Sequence, residues 1–238
     1  MESKTYGEMY QLEQTYFWFV GKQAFIRNVL STLPQKHREI LDVGCGTGGT
    51  TKCLMEFGRV TALEKNPDAA RFARSRGIKV VEGNANHLPF PSESFDLTTF
   101  IDVLYHIGIS EPKALSEAFR ILSPHGYLLI TDCAGPALFG PHDITMDAKY
   151  RYTKNQLESM VTQAGFQIDV SRYIYTSVFP LFAFSRILAK IYPRPSTIPR
   201  FPKFLNSIFT GMLRLEGLFS PKIPAPFGSS ILILAHKS

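Results

Sequence analysis

Three features of the chain could do chemistry. The run Ile40-Leu41-Asp42-Val43-Gly44-Cys45-Gly46-Thr47-Gly48-Gly49 carries an apolar segment straight into glycines. Glycine lets backbone approach a ligand where a Cβ would intervene. Read as Gly44-x-Gly46-x-x-Gly49, the run also matches a dinucleotide fingerprint, a weak signal alone. Asp42 separates the two readings, because a carboxylate beside the loop repels a pyrophosphate and suits a cation such as an ammonium or sulfonium. Asp42 could equally be a capping carboxylate that fastens the loop, and both roles can hold together. Glu64 stands 18 residues after Gly46, a spacing at which an acid accepts hydrogen bonds from a ribose diol. Cys45 reads as a small filler of the loop, since no histidine base lies near it in sequence. His106 is the third feature. At the carboxyl edge of a sheet it could take a proton from a hydroxyl or phenol; a packing histidine is the competing role, and the residues favour it slightly.

To position these groups the chain must alternate strand and helix, and its patterning does so. Strands are predicted at 39–43, 59–63, 79–82, 95–101, 127–131, 166–173 and 230–235. Helices are predicted at 23–33 (stopped by Pro34), 49–57, 67–76 (opened by Pro67), 112–121 and 154–164 (closed by Gly165). That order implies an α/β fold with a Rossmann-like, doubly wound, mostly parallel sheet. With 238 residues, 45% hydrophobic and 19% charged, the composition excludes disordered and collagen-like classes. Three cysteines without CxxC or histidine-rich spacing leave no metal site and no disulfide framework. That cysteine usage makes a reducing cytoplasm the expected location, and the N-terminus lacks the apolar core of a secretory signal. The longest uncharged apolar candidate, Tyr173 to Ser185, is 13 residues and contains Pro180, short of the ~20 a spanning helix needs.

The glycine run and its two acids resemble those of the class I S-adenosylmethionine-dependent methyltransferases, in the small-molecule branch of the ubiquinone/menaquinone-biosynthesis type. The likeness covers about residues 38–170. It includes Leu41 to Gly48, the second-strand acid Glu64, Gly83-Asn84-Ala85-Asn86-His87-Leu88-Pro89-Phe90, Phe95 to His106 and Phe119 to Tyr127. It implies S-adenosylmethionine as cofactor. The implied cofactor-binding set is Asp42, Gly44, Cys45, Gly46, Gly48, Glu64 with Lys65 beside it, Asn84, Ala85, Asp102 and Val103, with Trp18 and Lys22 from an aromatic lid, Tyr16 to Lys22. The family usually has Asp where Asn84 stands; one carbonyl acceptor for the adenine amino group remains. Asp102 could instead only cap its turn. Methyl transfer does not demand a base, because in-line positioning of an activated sulfonium supplies much of the rate, so His106 is a candidate catalyst and not a requirement. His142, Asp143, Tyr150 and Tyr152 are weaker candidates for the same face.

The resemblance further implies an antiparallel last strand, so a segment between strands six and seven leaves and re-enters at the cofactor edge. The division expected is an N-terminal helical cap (1–35), a core (36–176), an apolar basic insertion (177–228) and the last core strand (229–238). Residues 1–171 carry 17 Lys and Arg against 19 Asp and Glu, whereas residues 172–238 carry 9 against Glu216 alone. The insertion holds two helix-like pieces, 181–191 and 203–219, around a proline-rich stretch from Pro193 through Pro199 and Pro202. Two uses are open: a helical pair completing the core, or a substrate cap resting on an anionic membrane surface. Nucleic acid is not the expected partner. The Asn/Asp-Pro-Pro-aromatic motif of amino-group methylation is replaced by Asp102-Val103-Leu104-Tyr105, and no Pro-Cys occurs. The function expected is methyl transfer to a small or lipid-like acceptor, at oxygen. The alternatives are a cofactor-binding protein without turnover, or a membrane-associated partner protein.

Overall fold

The computed structural model describes residues 3–34, 38–191, 201–219 and 225–238. Its centre is a seven-stranded sheet of β1 (Arg38–Val43), β2 (Gly58–Glu64), β3 (Lys79–Glu82), β4 (Phe95–Ile101), β5 (Leu122–Cys133), β6 (Phe166–Ile174) and β7 (Ser230–Lys237). The order is β3-β2-β1-β4-β5-β7-β6, with β7 antiparallel to both neighbours and the other pairings parallel. β1 and β4 are almost wholly buried, as apolar strands covered on both faces must be.

Helices α1 (Ser3–Leu12), α2 (Phe17–Leu30), α3 (Gly49–Leu54), α4 (Pro67–Ser75), α5 (Glu111–Ile121), α6 (Pro141–Thr145) and α7 (Lys154–Gln163) surround the sheet. Local sequence sets most starts. Asn66 caps α4 by accepting from the amides of Asp68 and Ala69, with Pro67 at the first turn. Thr153 and Gln156 form a capping box on α7.

The insertion forms α8 (Phe179–Ile191) and α9 (Lys203–Phe219); Pro193 to Pro199 lie outside the described residues. α2 starts six residues before the predicted helix, and the reason is tertiary. Tyr16 has no side-chain cap to offer, and Asn206 of α9 accepts from the Phe17 amide at 2.9 Å instead. α1 falls within the helical cap expected over residues 1–35, whereas α6 with its one-turn 3₁₀ lead-in, Pro136–Leu138, escaped the sequence reading.

Candidate active site

The carboxyl ends of β1 to β5 open into a cavity of about 920 Å³, roofed by α1, α2, α6 and α8. Of the sequence-predicted residues, Trp18, Lys22, Asp42, Gly44, Cys45, Gly46, Glu64, Lys65, Asn84, Ala85, Asp102, Val103 and His106 line it. Gly48 is the exception. At φ +85° it starts α3, and a Cβ there would meet Ile78 and Ala73 at 2.5 and 3.2 Å. Its bareness lets the loop pack on α4, and it does not line the cavity.

Asp42 is 2% exposed. Its Oδ2 accepts from Thr51 Oγ1 at 2.6 Å and its Oδ1 from Thr99 Oγ1 at 2.7 Å, so the fastening role is present. Burial pushes its carboxyl up to about 6, against the pull of those two hydroxyls. Glu64 accepts from the Gly46 amide at Oε2 and from the Asn66 amide at Oε1, both at 2.8 Å. A carboxylate offers about four acceptor positions, so capacity for a diol remains. Asn84 turns its carbonyl to the Asn86 amide at 3.0 Å, which leaves its second lone pair for any ligand. Burial pushes the Cys45 thiol up, foremost among the causes, and its S–H faces the Gly46 carbonyl at 3.6 Å; it is a filler.

Asp102 has φ +57°, a conformation costing a non-glycine residue roughly 1–3 kcal/mol that the surroundings must impose. They do: its amide donates to the Thr131 carbonyl at 2.8 Å, and its Oδ2 pairs with Lys22 of α2. Burial draws the Lys22 ammonium down to about 8. One turn earlier, Trp18 stacks on Tyr175 at 4.1 Å and 4° and on Phe182 of α8 at 5.4 Å. The aromatic segment is therefore both lid and packing. His106 is held low in pKa chiefly by burial, opposed by hydrogen bonds to the backbone of Asp147 and Met146. Burial thus disfavours its charged form.

His142 and Asp143 line the cavity, whereas Tyr150 and Tyr152 turn away to share Glu111 Oε1. Three lining residues had no motif to announce them. Glu13 of the turn after α1 accepts from Thr47 Oγ1 at 2.5 Å and from Arg76 at 3.0 Å, which ties the N-terminal helices to the glycine loop. Arg151 donates to Asp143 from Nε and Nη2, at 3.1 and 2.7 Å. Arg186 reaches the same carboxylate from α8. Glu13, Asp42 and Glu64 thus lie near the loops after β1 and β2, and Asp143, Asp147, Arg151 and Arg186 near α6 and α8.

Residues 41–130 match the family model of a methyltransferase domain. A fatty-acid O-methyltransferase of Mycolicibacterium smegmatis is 36% identical over 102 residues, 40% of this chain and 37% of that protein. A ubiquinone/menaquinone biosynthesis C-methyltransferase of Vibrio vulnificus is 29% identical over 153 residues, 59% of this chain and 57% of the relative. A phthiotriol/phenolphthiotriol dimycocerosates methyltransferase of Mycobacterium leprae is 34% identical over 102 residues, covering 40% and 37%. The chain spans less than two thirds of the length of these relatives. Among solved structures, a Thermotoga maritima S-adenosylmethionine-dependent methyltransferase superposes with TM-score 0.63 at 19% identity, over 98% of this chain and 95% of the other. The [4+2]-cyclase SpnF superposes with TM-score 0.59 at 19% identity, over 90% and 80%, so the fold alone does not dictate methyl transfer.

Family and fold imply S-adenosylmethionine as the cofactor, and the residues present fit it. Gly46, at φ +56°, has no atom within 4 Å of where a Cβ would stand, which is the bare approach a bound ligand needs. Glu64 keeps acceptor capacity for a ribose, and the acids on that side suit a sulfonium and an ammonium. The matched segment, the strand order and this fit agree: residues 41–130 are similar to a methyltransferase domain, and the fold is that of S-adenosylmethionine-dependent methyltransferases.

Proposed function

We propose that the protein transfers the methyl group of S-adenosylmethionine to an oxygen of a small, lipid-like acceptor. The observation that carries the reading is the α8 wall: Leu181, Phe182, Phe184 and Leu188 line the same cavity as Glu64 and the glycine loop. An apolar surface facing the donor site suits an acceptor with hydrocarbon. The names of the fatty-acid, quinone-pathway and dimycocerosate relatives support it.

When bound, S-adenosylmethionine supplies an electrophilic methyl group on a sulfonium. What the chain adds is positioning and exclusion of water. Glu64 fixes the ribose, the buried Asp42 holds the loop and lends negative potential, and α2 and α8 close the site from above. Oxygen is favoured because Arg151 and Arg186 stabilise an oxygen anion on the acceptor side, while His106 could take a hydroxyl proton. Purified protein should convert S-adenosylmethionine to S-adenosylhomocysteine only when an apolar acceptor is added, with a methyl ether or ester as product. Carbon-methylated product would refute the oxygen assignment, and no turnover on any acceptor would favour a cofactor-binding protein.

A second reading concerns where the acceptor is met. Phe184, Ile187 and Ile191 of α8 and Phe204, Ile208, Leu215 and Leu218 of α9 are exposed. They sit in a segment whose net charge is strongly positive, and among the described residues no helix is long and apolar enough to cross a membrane. That combination supports reversible rest on an anionic bilayer, with each cation near the surface contributing about 1 kcal/mol. Co-sedimentation with phosphatidylglycerol vesicles should occur at low salt and weaken at high salt. Failure to sediment at low salt would refute it.

A further inference from the structure

On the acceptor side of the cavity two guanidiniums, Arg151 and Arg186, share the carboxylate of Asp143; Asp147 also lines the cavity but is not among the groups acting on either arginine. Asp143 of α6 is already engaged at Oδ1 by Arg151 and at Oδ2 by the Gly140 amide at 2.9 Å. Arg186 adds a second guanidinium, its Nη1 3.5 Å from the same Oδ2. Among the described residues Arg186 makes no other hydrogen bond. Side-chain exposures are 2% for Arg151 and Asp143 and 12% for Arg186, so water screens the pair of cations poorly.

Besides Asp143, the groups acting on Arg186 are Arg151, Cys133 and Tyr105, with burial the foremost influence and no second carboxylate among them. His142 is pushed down to about 4, first by burial and then by Arg186, so it is neutral and adds no charge of either sign. Phe182 lies 5.3 Å from the Arg151 guanidinium and 4.8 Å from that of Arg186. The ring orients both cations without supplying a counter-charge. A desolvated guanidinium with a shared, distant carboxylate is unfavourable until a further anion completes it.

We infer that Arg186 is an acceptor-recognition residue, pairing with the carboxylate head of an acceptor whose apolar tail runs along Leu181, Phe184 and Leu188 of α8. The inference deepens the methyl-transfer reading and rests on it. A guanidinium fork matches a carboxylate, which is ionised at neutral pH. One carboxylate oxygen forms the new C–O bond with its own electron pair as the methyl C–S bond breaks. The sulfur leaves as a neutral sulfide, the product is a neutral methyl ester, and no proton changes hands. The ester no longer pairs with Arg186, so the contact that admits the substrate does not retain the product.

The chain's one tryptophan, Trp18, stacks on Phe182 and reports occupancy without turnover. Its fluorescence is titrated with dodecanoate and with dodecanamide, in saturating S-adenosylhomocysteine, for wild type, Arg186→Gln and Arg186→Lys. The wild type should favour dodecanoate by about tenfold or more, the difference that one well-made charge-assisted contact gives. Arg186→Gln should abolish the preference, and Arg186→Lys should retain part of it. In steady state, Arg186→Gln should raise KM for dodecanoate about tenfold with kcat little altered. Equal binding of acid and amide by wild type, or a preference surviving in Arg186→Gln, overturns the inference. Methylation of dodecyl phosphate but not of dodecanoate overturns the carboxylate assignment. Calorimetry with S-adenosylhomocysteine separates the two levels. Normal cofactor binding without acid preference defeats Arg186 alone, whereas no cofactor binding in any of the three proteins defeats the methyl-transfer reading beneath it.

Discussion

The two insertion helices have similar composition and opposite fates. α9 is folded into the body: Leu213 is fully buried against Gly21 of α2, and Asn206 caps α2 while donating to the Thr15 carbonyl at 2.8 Å. Its Glu216 accepts from the Thr176 and Ser177 amides at 2.8 and 2.9 Å, which fixes the turn into α8. α8 buries no residue. It is held from its polar side, by Arg186 on Asp143 and by Lys190 on the Ala137 carbonyl at 2.7 Å, with Trp18 stacked on Phe182. No residue of α9 lines the cavity, whereas seven residues of α8 do. An apolar, basic helix therefore takes its role from what meets it. α9 is structure, and α8 is a wall of the site.

The contrast breaks most easily at Leu213. Leu213→Ala should destabilise the protein by about 2–5 kcal/mol in urea denaturation, as a large-to-small change in a filled core does. Phe184→Ser on α8 should stay within about 0.5 kcal/mol, as exposed positions do. Comparable losses at both sites would erase the distinction. A smaller effect is expected at Gly21, where a Cβ would lie 2.5 Å from Leu213 Cδ1. Gly21→Ala should cost about 1–3 kcal/mol by overpacking, and pairing it with Leu213→Ala should give a clearly non-additive cycle. Additivity would mean that α2 and α9 do not meet there.

The smallest effect sharpens the description of the glycine loop, which α2 meets through Gln23. The Asp42 carboxyl, ordinarily 3.8, sits near 6 in the folded protein. Between those values the folded state binds more protons than the unfolded one, so this group makes stability fall as pH rises through the window. Asp42→Asn should flatten that part of the urea-midpoint profile. An unchanged profile would show that burial does not raise Asp42.

Strand and helix positions were largely legible, because apolar β-branched runs, Pro67 and Gly165 are local signals. The glycine loop and Glu64 were legible for the same reason. What escaped was tertiary. The start of α2 depends on Asn206, which is 189 residues away. Glu13 joins the loop through Thr47, and Arg151 and Arg186 meet only at Asp143; no spacing in the chain encodes those meetings. Gly48 reads as part of the ligand loop and packs on α4 outside the cavity lining, a placement that periodicity does not encode.

The central claim is that the loop after β1 and the acid ending β2 form an S-adenosylmethionine site beneath α8. Titration calorimetry of S-adenosylhomocysteine against wild type and Glu64→Ala tests it most directly, with NAD as the competing ligand. The account predicts saturable binding of S-adenosylhomocysteine, weakened by about 1–3 kcal/mol in Glu64→Ala, and no comparable binding of NAD. Saturable NAD binding together with silence toward S-adenosylhomocysteine would contradict it.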